Sequence, residues 1–138
     1  MRLYNVYGKL QKKNISPYLI KWDGSSRSKI QYAVKQFLKP FWKAQRVYEE
    51  FPVYGTRLKV DILNATKKIA IEVNGRQHSS FNKFFHSNSR TNYLKSIKRD
   101  IQKSEWLEKN DFMLIEIEQD EVCKISKDFF KKKFNITL

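Results

Sequence analysis

The amino-acid sequence predicts a mixed α/β (α+β) fold, with a central mixed sheet flanked by helices. Two observations carry that expectation. Short runs rich in β-branched and aromatic residues, bounded by turn formers, read as four strands, and amphipathic runs of helical period read as three helices, in the order helix, three strands, helix, strand, helix. A length of 138 residues fits one compact domain that buries a core without disulfides or structural zinc.

Residues 1–24 mix aromatic, basic and polar positions without a clean period and read as an N-terminal arm, in which Tyr18-Leu19-Ile20-Lys21-Trp22 is a short strand or a packed segment. A helix begins in Ser25-Ser26-Arg27-Ser28, because serine hydroxyls accept from the free amides of a first turn. Ile30, Ala33, Val34, Phe37, Leu38 and Phe41 form its buried stripe, and Pro40 is expected to end or kink it near Lys39. Strands follow at Gln45 to Phe51, Leu58 to Leu63 and Ile69 to Asn74, with Gly55 turning the chain between the first two. After a basic segment, the pattern predicts a helix from about Thr91 to Lys109 with Leu94, Ile97 and Ile101 facing inward and Asn110 as C-terminal cap. Phe112 to Ile117 is a short apolar strand, and a last helix over residues 121 to 133 carries Val122, Ile125, Phe129 and Phe130. Residues 118–138 form the C-terminal part beyond the core at 25–117.

Charge narrows the function. The chain has 28 Lys and Arg against 14 Asp and Glu, a formal +14. Such an excess suits a polyanion, because phosphates neutralised by basic side chains release counterions. No uninterrupted basic amphipathic helix or long apolar run points to a membrane. Cys123 is the single cysteine, which excludes an internal disulfide framework and a cysteine-rich zinc site and suggests a reducing, cytoplasmic setting.

The two middle strands can be registered from their connecting loop, Ala65-Thr66-Lys67-Lys68. Antiparallel pairing of Asn64 with Ile69 puts Val60 opposite Val73 and Ile62 opposite Ile71 on an apolar face, and Asp61 opposite Glu72 and Lys59 opposite Asn74 on a polar one. Directly opposed carboxylates repel unless something positive lies between them. Mg²⁺, which takes one or two carboxylates plus water and phosphate oxygens, fits that place; so does a bland arrangement in which nearby lysines neutralise both acids.

Val60-Asp61-Ile62 followed by Ile71-Glu72-Val73-Asn74-Gly75-Arg76-Gln77-His78 resembles the signature of the PD-(D/E)XK nuclease superfamily. The likeness is to the branch of very-short-patch-repair-like endonucleases and small phage and homing nucleases, and it spans roughly Ser25 to Ile117. It implies a restriction-endonuclease-like αβββαβ core, Asp61 and Glu72 as ligands of Mg²⁺, with Mn²⁺ as substitute, and hydrolysis of DNA phosphodiesters. The lysine that such enzymes carry two residues after the glutamate is here Asn74, with Lys59 and Lys103 as candidate replacements. Gln31 stands where the first helix usually offers an acid, which leaves it as a neutral oxygen toward a bound water or a surface residue. His78 matches a histidine near the scissile phosphate in the repair-like branch. Arg76, Gln77, His86, Lys98 and Arg99 are candidate DNA contacts. A double-strand cut or junction resolution by so small a chain would need a homodimer, whereas a monomer suits a nick. Two rivals remain: a non-catalytic nucleic-acid-binding module on the same fold, favoured by Asn74 and Gln31, and an RNA-directed nuclease.

Overall fold

The structure, a computed structural model, describes residues 1–75 and 90–138, with side chains from Leu94 onward in the second stretch. It begins with a hairpin, β1 (Arg2–Tyr4) and β2 (Leu10–Lys12), followed by a 3-10 turn at Ser16–Tyr18. Then come α1 (Lys29–Trp42), β3 (Val47–Pro52), β4 (Lys59–Asn64), β5 (Ile69–Asn74), α2 (Arg90–Lys109), β6 (Met113–Glu118), a 3-10 segment (Gln119–Lys124) and α3 (Lys127–Phe134). Strands β3 to β6 form one mixed sheet in sequence order, antiparallel from β3 to β5 and parallel between β5 and β6. The fold is thus the expected α/β arrangement of a mixed sheet flanked by helices.

Two apolar clusters pack on this sheet. One joins Val34, Leu38 and Trp42 of α1 and Phe130 of α3 to Ile62, Ile71 and Val73. The other joins Trp106 and Leu107 of α2, with Leu3 and Ile15 of the arm, to Phe51, Val60, Leu63 and Ala70. The arm is held by named bonds: Trp106 Nε1 donates to Tyr4 O at 2.7 Å, and the Tyr54 hydroxyl donates to Met1 O at 2.8 Å. The 18–22 segment is mostly a packed arm; a single bridge joins Leu19 to Tyr48.

Several expectations are corrected. Ser28 does cap α1, its hydroxyl accepting from Gln31 N at 3.2 Å, but the helix runs through Pro40 to Trp42. Proline there removes only its own amide bond, one turn from the end, and fully buried Trp42 anchors that end. The fully buried positions of α1 are Gln31, Val34, Lys35, Leu38 and Trp42; of the expected stripe Val34 and Leu38 are buried, Ile30, Phe37 and Phe41 pack half-buried against the same cluster, and Ala33 is exposed. Leu94, Ile97 and Ile101 are exposed on α2, whose buried side chains among the described ones are Trp106 and Leu107. The last helix is two pieces, because Ser126 interrupts the run and caps α3 by accepting from Phe129 N at 3.0 Å. Asn110 does cap α2, its side-chain amide donating to Trp106 O at 3.0 Å, and the left-handed residue is the next one, Asp111 (φ 65°); the Asn110 side chain also bonds Tyr4 N and Tyr4 O.

The β4–β5 register is the expected one, with Ile62 opposite Ile71, Leu63 opposite Ala70 and Asn64 opposite Ile69. The ladder stops there, so Asp61–Glu72 and Lys59–Asn74 are not laddered pairs. Val60 does not share a cluster with Ile62 and Val73; it packs with Leu63. The same change of phase occurs on β3, where Tyr48 and Phe51 share a cluster across Glu50. Glu50 has φ 53°, a left-handed conformation costly for a residue with a Cβ, and is skipped in the β3–β4 ladder. Strict alternation therefore fails at Glu50 and Asp61, two neighbouring points on adjacent strands.

Candidate functional site

Where the ladder opens, side chains take over its hydrogen bonding. Asp61 Oδ2 accepts from Val73 N at 2.9 Å, and Glu72 Oε2 accepts from Asp61 N at 3.4 Å, so each acid caps an amide of the opposite strand. Asp61 is 3 % exposed and Glu72 9 %. Their other oxygens meet cations: Lys103 Nζ of α2 donates to Glu72 Oε1 at 2.7 Å, and Arg27 Nη2 lies 3.7 Å from Asp61 Oδ1. A cavity of about 40 Å³ sits among Arg27, Asp61, Glu72, Asn74, Lys103 and Glu116.

The electrostatics follow from burial. Loss of solvent pushes the Glu72 carboxyl up to about 8, the neighbouring Asp61 charge adds to the rise, and Lys103 opposes it. At Glu72, burial and the Asp61 charge therefore outweigh the Lys103 cation. Among the described residues, no three His, Cys, Asp or Glu side chains converge as a ready metal-ligand set. The donor chemistry still fits a hard cation held by two carboxylates and completed by water and phosphate oxygens.

The expected site residues separate into groups. Asp61, Glu72 and Lys103 come together, and Asn74 lines the same cavity with its amide donating to Glu118 Oε1 at 3.2 Å. Gln31 is neither a surface residue nor a lining residue of that cavity; it is buried and its amide donates to Glu49 Oε2 at 2.8 Å and Glu50 Oε1 at 3.3 Å. Lys59 and Arg99 line an adjoining groove, and Lys98 is exposed outside it. Arg76, Gln77, His78 and His86 lie outside the described residues.

Sequence reasoning missed the hub that positions Arg27. Lys35 is fully buried and its Nζ donates to Gly24 O at 2.8 Å, Lys21 O at 3.0 Å and Glu49 Oε1 at 3.1 Å. Glu49 Oε2 also accepts from Ser26 Oγ at 2.7 Å. These bonds fasten the loop before Ser28, and Arg27 thereby reaches both Asp61 and Glu50, whose Oε1 is 4.0 Å from Arg27 Nε. The available signal was the spacing of Gln31, Lys35, Leu38 and Trp42, a helical stripe with two polar members.

Comparison with known proteins adds little chemistry. No family model matches the chain, and no solved structure matches it. The chain is similar to an uncharacterized protein, 033L, of Invertebrate iridescent virus 3, with 36% identity over 81 residues. The aligned stretch is 59% of this chain and 41% of the viral protein, so it spans less than half of that relative's length.

Proposed function

We propose that this chain is a metal-dependent DNA endonuclease of the PD-(D/E)XK kind, working at Asp61 and Glu72. The observation that carries the reading is the opened ladder, where two buried carboxylates share one small cavity with Lys103. The strand order and the helices on both faces of the sheet are compatible with a restriction-endonuclease-like core. Asp61 and Glu72 would hold Mg²⁺ or Mn²⁺. Bound there, the cation would supply polarisation of the phosphodiester and activation of the attacking water.

The chain's own residues divide the remaining work. Lys103 brings positive charge beside Glu72, the role left vacant by Asn74, and would offset charge developing on the phosphate. Asn74 cannot accept a proton as a base and, held by Glu118, would orient water or phosphate through its amide. Arg27 is exposed apart from its contacts with the acids and can exchange them for a phosphate oxygen. The charge of +14 supports a polyanionic substrate, which the resemblance makes DNA, and a homodimer would be required for a double-strand cut.

One observation favours a second reading, a non-catalytic DNA-binding module: Lys103 already places a cation on Glu72 without metal. Incubation with supercoiled, linear and four-way-junction DNA in Mg²⁺, Mn²⁺ or EDTA separates the two. Cleavage with Mg²⁺ and none with EDTA is expected. Asp61→Ala and Glu72→Ala should each lower the rate by more than about a hundredfold, since even second-shell losses at metal sites cost about ten- to a hundredfold. Near-normal cleavage by folded variants would sink this assignment, and DNA binding with no cleavage in any metal would favour the module.

A further inference from the structure

Beside the acid pair lies a groove of about 350 Å³ whose described lining includes Arg27, Arg57, Lys59, Arg99, Lys103 and Asp100. Five cations thus face one carboxylate. The groove shares Arg27, Asp100 and Lys103 with the small cavity at Asp61 and Glu72, so the two are continuous. Its walls come from the loop before α1, the start of β4 with the turn preceding it, and the inner side of α2.

We propose that this groove is a track for one sugar–phosphate backbone, gripped through its phosphates and not through its bases. The inference rests on the nuclease reading for the identity of the strand, but the groove's chemistry stands by itself. Among the described residues, no hydrogen bond or ion pair engages the side chain of Arg57 or Lys59, which leaves both charges available to a ligand. Unpaired cations crowded into one concavity repel each other, and a polyanion relieves that repulsion. The described lining contains no aromatic residue, which removes the stacking platforms that hold unpaired bases in single-strand binders. Its only apolar member among the described residues is Leu58. Phosphate contacts of this kind fix register and direction without reading sequence.

The test measures binding of the full chain in EDTA, where no cleavage contributes, to a single-stranded oligonucleotide and to an abasic strand of equal length. Arg57→Ala and Lys59→Ala are compared with a control pair that removes equal charge elsewhere, Lys9→Ala and Lys131→Ala. Each groove substitution should reduce the slope of log affinity against log salt by about 0.7, the value for one phosphate contact on a single strand. The control pair should change it little, and the two oligonucleotides should bind alike. Equal slopes for groove and control variants would overturn the proposal, as would an abasic strand that binds far more weakly than the base-bearing one. Because Asp61→Ala is judged by cleavage and the groove by metal-free binding, either idea can fail while the other stands.

Discussion

Burial and a neighbouring negative charge make the Glu72 carboxyl hold its proton more tightly in the folded chain than in the unfolded one. The folded value lies above the ordinary 4.5, so this group contributes stability that is fully present below 4.5 and is lost as pH rises through about 8. Metal-free protein should therefore lose melting temperature relative to Glu72→Gln across that window. A constant difference between the two from pH 4 to pH 9 would show that the acids are not electrostatically opposed. Glu50 offers a second residue-scale test, because its φ of 53° strains any side chain with a Cβ. Glu50→Ala and Glu50→Gly both lose the contacts with Gln31 and Arg27, and only glycine also relieves the backbone. Glycine should be the more stable of the two by about 1 kcal/mol in denaturant titration. The Asp61–Glu72 juxtaposition was legible because a four-residue loop fixes the register, whereas Glu50 was not, since nothing in a residue's type announces a positive φ in a strand.

At the scale of elements, α2 shows what periodicity can and cannot give. Leu94, Ile97 and Ile101 do form a stripe, but they are 56 %, 37 % and 51 % exposed, and the side of the helix bearing Lys103 faces the sheet. The inner face is polar at that level because it lines the groove and reaches Glu72. A hydrophobic period therefore located the helix while the site decided its rotation. Glutamine at Leu94, Ile97 or Ile101 should change stability by no more than about 0.5 kcal/mol, as for ordinary surface positions. Trp106→Ala, by contrast, should cost about 3–5 kcal/mol, because it empties a fully packed position of the arm-side cluster and removes one of the two side-chain donors to Tyr4 O. Comparable losses at all four positions would place the apolar stripe inside. The α1 stripe follows the same logic: Lys35 and Gln31 are buried because they fasten the loop carrying Arg27, a demand that an apolar pattern cannot express.

For the whole molecule, the order of the strands and the pairing of the two middle ones were readable because a short loop joins that antiparallel pair, whereas the parallel pairing of β5 with β6 across the crossover helix α2 came from the structure. The arm's hairpin was not readable either, since its three-residue strands are too short to show alternation. The same global charge that points to nucleic acid also acts on the fold, and the two effects have opposite dependence on salt. With a formal +14, the folded chain is self-repelling, and added salt screens exposed charges over a length that falls from about 10 Å at 0.1 M to about 3 Å at 1 M. Attractive pairs are screened as well, but Lys35 and Glu49 are buried and feel little of it, and the exposed Lys132–Asp128 pair is of the kind worth at most about 1 kcal/mol. Relief of repulsion should therefore win, and the melting temperature should rise as sodium chloride increases from low to moderate concentration. Affinity for DNA should fall steeply over the same range, because releasing the same counterions into a saltier solution gains less free energy. Thermal melting and fluorescence anisotropy on one salt series test both at once. A melting temperature that falls with salt would mean that exposed ion pairs, and not excess positive charge, dominate the electrostatics of the fold.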